Sequence, residues 1–216
     1  MKKKTIVATL AACAAIVPAN AQQKQRLDIE MPKVETTGGP VVLRLKNLDL
    51  VAPEETFLLV PPGTALLSRN KPVTSSDKLP ILGELSQITD GDKDAAEGYE
   101  VELAPGVQWV QIDLQKTAEI YGLAIWHFHR QRRACKGVIV QISDDAEFKT
   151  GVSTVFNADV DNLAKQGAGS NKAYIETNKG KLLSVNGVKG RYVRLYSAGN
   201  TASPGNHYVE VEVYGK

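Results

Sequence analysis

Trp109-Val110-Gln111-Ile112-Asp113-Leu114 sets Val110, Ile112 and Leu114 at every second position. The same alternation returns in Gly137-Val138-Ile139-Val140-Gln141-Ile142-Ser143, in Arg191-Tyr192-Val193-Arg194-Leu195-Tyr196 and in the run from His207 to Tyr214. A period of two sends one set of side chains into a core and the other toward water, as on a half-buried strand. Glycine, asparagine and aspartate divide these runs. No stretch has capped helical periodicity; residues 117–121 would form at most one turn. Many short strands separated by turn residues predict an all-β chain, a sandwich or barrel.

The strand pattern begins near Thr64. Upstream, residues 22–40 are polar and carry Pro32, Gly38, Gly39 and Pro40, the composition of a linker or tail. Val41-Val42-Leu43-Arg44-Leu45 and Phe57-Leu58-Leu59-Val60 are strand-like, so residues 22–63 are an extension of undetermined structure. Residues 1–21 have the layout of a secretory signal peptide: Lys2, Lys3 and Lys4, an apolar run from Ile6 to Val17, then Ala19-Asn20-Ala21. The run is shorter than the roughly 20 apolar residues of a membrane span, so no transmembrane segment is expected. Cleavage after Ala21 would release the protein to the periplasm or medium. Leu10-Ala11-Ala12-Cys13 also fits a lipobox, which leaves lipid anchoring through Cys13 as the alternative.

Loss of residues 1–21 removes three lysines and takes the net charge from +2 to −1. A near-neutral chain lacks the concentrated cations that phosphate binding needs, which argues against nucleic acid as a partner. Cys135 is then the single remaining cysteine, so no internal disulfide can form. The domain must be held by its core, with Cys135 expected as a buried, inert thiol.

Seven segments, in order, resemble the discoidin family, also called the coagulation-factor C-type or galactose-binding-like domain. They are Asn70-Lys71-Pro72-Val73-Thr74-Ser75-Ser76, Ile88-Thr89-Asp90-Gly91-Asp92, the Trp109 segment, Ile120-Tyr121-Gly122-Leu123-Ala124-Ile125, Val140-Gln141-Ile142-Ser143-Asp144-Asp145, Gly190-Arg191-Tyr192-Val193-Arg194-Leu195, and Glu210-Val211-Glu212-Val213-Tyr214-Gly215. The resemblance implies an eight-stranded jelly-roll β-sandwich over residues 64–216, with binding loops at one end. Fold does not fix function. Lys93-Asp94-Ala95-Ala96-Glu97 stands where calcium-binding members often carry Thr-x-Trp, and residues 157–180 make a longer loop than the family minimum.

Three groups of residues are candidates for chemistry. Asp90 and Asp92 suit a hard cation such as Ca²⁺, and the resemblance implies Glu210 of the last strand as their partner. It is not an EF-hand, because Ala95 and Val101 stand where that loop needs Gly and Glu. His127 and His129 are two apart, and with the distant His207 they could hold a transition metal. The arginines at 130, 132 and 133 replace the carboxylate that a cupin-like site needs, which makes this reading weaker. Finally, Trp126, His127, His129, Arg130, Arg132, Arg133, Asn157, Asp159, Asn206, His207 and Tyr208 are the groups suited to a sugar, through ring stacking and planar donors and acceptors. A buried Trp126 is the competing expectation.

No G-x-S-x-G elbow and no phosphate-binding Gly-Lys loop is present. The chain is therefore expected to be an exported, non-catalytic binding module for carbohydrate or a glycoprotein surface, stiffened by calcium. A protein-interaction module for another envelope protein is the alternative.

Overall fold

A computed structural model describes residues 23–35, 37, 41–96 and 98–216. Residues 1–21, expected as a signal peptide, and Cys13 among them lie outside the described residues. Among the described residues, ten strands run in chain order: β1 (Gln25–Asp28), β2 (Phe57–Val60), β3 (Ala65–Leu66), β4 (Val73–Ser75), β5 (Val101–Leu103), β6 (Gln108–His127), β7 (Ile139–Ser143), β8 (Ser153–Asn157), β9 (Lys181–Ser197) and β10 (Asn206–Gly215). One 3-10 turn, Leu85–Thr89, precedes the Asp90 loop. Among the described residues no helix is long and apolar enough to cross a membrane.

Strands β3 to β10 form one antiparallel network in the order β3-β10-β6-β9-β7-β8, with β4 on β6 and β5 on β10. The two long strands link its two layers. The first half of β6 pairs with the end of β9 (Val110 with Leu195), and its second half pairs with the start of β9 (Leu123 with Leu183) and with β10 (Val211 with Ile125). The register slips between Asp113 and Ala118, where Gln115 adopts φ 66°. The Trp109 and Ile120 segments, expected as two strands, are therefore one strand bent at a bulge, and residues 117–121 are strand rather than a helical turn. The layers close on a core that includes Val110, Ile112, Leu123, Ile125, Val140, Val193, Leu195, Val211 and Val213, each fully buried.

The extension is built into this body. Residues 25–28 pair with residues 57–60, Gln25 opposite Val60 and Asp28 opposite Phe57. This two-stranded sheet carries Leu58 and Val60 into a second core with Ile29, Ala124, Trp126, Phe128, Val209 and Tyr214. Gly122 on β6 makes the approach possible, since a Cβ there would lie 2.5 Å from Leu58 Cδ1. By contrast, residues 41–45 are not a strand; Val42 is exposed, and nearby Leu48 bridges to Ala173 instead. Covering the outer face explains why Glu210, Glu212 and Tyr214 of β10 are buried on the side that period-two logic assigns to solvent. Lys93 answers Glu212 there: its ammonium lies 2.8 Å from Glu212 Oε1, donates to Glu30 O and sits 4.7 Å above the Trp126 ring.

Candidate functional site

His207 opens β10, opposite Glu102 of β5. The backbone N–H of Phe128, just past β6, donates to His207 O. The chain then turns through Arg130 to Arg133 and returns to bridge Cys135 with Asn200. This brings Glu100, Phe128, Arg130, Gln131, Arg133, His207 and Thr37 of the extension around a cavity of about 250 Å³.

Its polar groups are underused. Arg133 is buried, with its guanidinium 4.5 Å from the Phe128 ring centre and Nη2 donating to Gln131 Oε1 at 2.7 Å. Arg133 Nε and both ring nitrogens of His207 have no hydrogen-bond partner. His207 Nε2 is 3.6 Å from Glu102 Oε1. Burial holds His207 below its ordinary value, and the neighbouring Arg133 adds to this. Burial likewise lowers Arg133. A buried donor left unpaired costs about 1 to 3 kcal/mol, so these groups are set up for a polar ligand.

Arg130 at this cavity is already engaged, and the remaining sugar-site candidates are dispersed. Arg130 Nη2 pairs with Glu35 at 2.7 Å and its Nε donates to Asp94 O. That contact lays the extension between this cavity and a second one of about 280 Å³, lined by Val34, Glu35, Ala52, His129, Arg132, Glu176 and their neighbours. His129 Nε2 donates to Lys93 O at 2.8 Å, and burial lowers its pKa. Arg132 is exposed.

Trp126 is fully buried and its indole N–H donates to Asn178 O. It belongs to the second core, so it offers no stacking face. Tyr208 is also fully buried, its hydroxyl on Ser197 Oγ. Asn206 spends its amide on Ala104 O and Gly106 O and accepts from Ser197 Oγ and Gly199 N. Asp159 accepts from the N–H groups of Leu163 and Ala164, while Asn157 accepts from Asp159 N and donates to Gly167 O. These four residues are committed to shaping their own loops and offer no free polar group to a sugar. Glu100, Glu102 and Glu176 were not singled out in the sequence. The signal for the first two is the alternation around Val101 and Leu103.

At the acidic loop, Asp90 Oδ1 accepts from Asp92 N, and Asp92 Oδ1 accepts from Asp94 N. Gly91 N donates to Glu210 Oε2 at 3.0 Å. Glu210 Oε1 is buried without a partner, and burial raises its carboxyl to about 9. A cation would satisfy that oxygen, so Glu210 fits one. Asp90 and Asp92 do not gather with it: among the described residues the one set of three His, Cys, Asp or Glu ligand atoms within 4.8 Å is His127, Cys135 and Glu176. The Arg69 guanidinium also lies against Gly91 and donates to Asp90 O. Neither His129 nor His207 belongs to that set with His127, so the three histidines do not converge.

A bent two-layer sandwich with a polar cavity among its end loops defines a β-sandwich of jelly-roll type. The profile of the F5/8 type C domain matches residues 72–211, and the chain belongs to that family. The chain is also similar to solved structures. A family 89 glycoside hydrolase from Clostridium perfringens, in complex with 2-acetamido-1,2-dideoxynojirmycin, matches with TM-score 0.52 and 16% identity over 70% of this chain and 14% of that one. Chitosan-binding module 1 of a chitosanase/glucanase from Paenibacillus sp. IK-5 matches with TM-score 0.49 and 21% identity over 69% of this chain and 98% of that one. The chain thus spans about a seventh of the hydrolase and nearly all of the module. No curated protein matches the sequence.

Proposed function

We propose that this chain is an exported, non-catalytic module that binds carbohydrate or glycoconjugate in the cavity between His207 and Arg133. The observation that carries this reading is the set of buried, unpartnered donors and acceptors there: Arg133 Nε and both nitrogens of His207. Arg133 presents its unpartnered Nε as a donor and Glu100 an acceptor, and the sugar's hydroxyls carry both roles. Phe128 supports Arg133 from beneath. Tyr99, next to Glu100 in sequence, is exposed, and an exposed ring suits C–H stacking on a sugar. Membership of the F5/8 type C family favours ligand binding at the end loops. Calcium, where bound, would be anchored by Glu210 Oε1 and would brace the Asp90–Asp92 loop without touching the sugar.

The test is a glycan array probed with the mature chain beside Arg133→Met and His207→Ala. Signals lost in both variants support the reading; signals retained in both move the site elsewhere. A second reading has its own observation. Leu79 and Ile81 are exposed on a segment that donates from Ile81 N to Glu102 O, near the cavity. That apolar tip suits an envelope-protein partner, and an array with no hits would favour it.

A further inference from the structure

Behind the cavities, the end of β6 brings His127 against two residues far from it in sequence. His127 Nδ1 donates to Glu176 Oε1 at 3.0 Å, and Cys135 Sγ completes a set whose ligand atoms all lie within 4.8 Å of one another. All three are more than nine-tenths buried. His127 Nε2 and Glu176 Oε2 have no hydrogen-bond partner, and neither does the buried hydroxyl of neighbouring Tyr174. Buried polar atoms are nearly always satisfied in native proteins. A group of them around a thiol, an imidazole and a carboxylate needs an occupant. We infer that His127, Cys135 and Glu176 form a site for a borderline divalent d-block cation, with Zn²⁺ the best match.

The donor set selects the ion. Sulfur and imidazole nitrogen exclude calcium and magnesium, which take oxygen. Tetrahedral zinc holds sulfur at about 2.3 Å and nitrogen or oxygen at about 2.0 to 2.2 Å, which puts ligand atoms roughly 3.3 to 3.8 Å apart. The observed cluster, within 4.8 Å, is wider than that spacing by about 1 Å, and the side chains would draw in on binding. Thiolate and carboxylate together neutralise the dication, so the loaded site carries no net charge into the core. The thiol proton leaves to solvent when the metal binds. Glu176 also lines the cavity of about 280 Å³ beside His129, which supplies an entry path and leaves the fourth position to water. The site does not depend on sugar binding; Arg133 borders both.

Co²⁺ reports directly on a thiolate ligand. Titrating the purified full chain with Co²⁺ should give one equivalent bound and a sulfur-to-cobalt charge-transfer band, which Zn²⁺ then abolishes by displacement. Zn²⁺ should also raise the melting temperature. Cys135→Ser should abolish the band, and Glu176→Gln, which keeps the side-chain volume, should weaken Co²⁺ binding tenfold or more. No band and no thermal shift with the wild-type chain overturns the inference, as does a band that survives Cys135→Ser, which would place the metal on Cys13 or elsewhere. If Cys135→Ser fails to fold, the wild-type stoichiometry and the loss of binding in Glu176→Gln still decide the matter. Glycan binding unaltered by Zn²⁺ is compatible with either result, so the two proposals fail separately.

Discussion

Replacing Arg133 by Met should separate binding from stability, because the guanidinium is buried at a cost the fold does not recover. Arg133 is 5% exposed, and Nε lacks a partner. Methionine keeps the unbranched stem and a favourable sulfur contact with Phe128. The variant loses one hydrogen bond to Gln131, about 0.5 to 1.5 kcal/mol, and a cation–π contact of about 0.5 to 2 kcal/mol. It gains back the roughly 1 to 3 kcal/mol spent on an unpaired buried donor. These offset to within about 1 kcal/mol, or roughly 2 to 4 °C in melting temperature for a chain of this size. A charge-assisted hydrogen bond to a sugar hydroxyl contributes about 1.5 to 3 kcal/mol, so affinity should fall roughly 10- to 100-fold. Calorimetric titration with the strongest array ligand, alongside thermal melts, measures both. Unchanged affinity, or a melt lowered by more than about 8 °C, would refute the reasoning, since either makes Arg133 a structural group.

Leu58→Ala should cost about 2 to 5 kcal/mol, because Leu58 is 2% exposed in the second core; the melt should fall roughly 5 to 15 °C. Removing residues 23–63 should shift tryptophan emission to the red as Trp126 meets water, and an unshifted spectrum would mean the two-stranded sheet does not cover it. In EDTA at neutral pH, Glu210→Gln should melt no lower than the wild type. A carboxyl raised to about 9 contributes stability below about pH 4.5 that is lost as pH rises toward 9, and the amide escapes that loss. Added calcium should then stabilise the wild type and leave the variant unmoved; equal shifts would place calcium away from Glu210. His207 and His129, both held below 6.5 chiefly by burial, bind fewer protons folded than unfolded. Their contribution is present above about pH 6.5 and lost as pH falls through the depressed folded values, which melts of His207→Ala against the wild type from pH 7.5 to 5 should show as a flatter profile.

The sandwich was legible because its strands obey a period of two and its turns are marked by Gly, Asn and Asp. The outer layer was not. Leu27 and Ile29 alternate within a stretch that is otherwise polar, and only pairing with residues 57–60 makes residues 25–28 a strand. Trp126 and Tyr208 belong with the sugar-site residues by chemistry, but the extension covers one and the sandwich interior encloses the other. Arg130, Arg132 and Arg133 stand together in sequence, yet the turn after β6 sends Arg133 inward onto Phe128 and leaves Arg132 exposed. Nothing local encodes that divergence. Glu176 meets His127 across 49 positions, a contact that exists only once β6 and the segment before β9 are packed.

The most direct test of the binding account is a map of amide chemical-shift changes on the purified protein as the strongest array sugar is added. The account predicts changes confined to residues 99–102, 128–133 and 207. Changes centred on the 157–171 loop, or on the cavity beside His129 and Arg132, would contradict it.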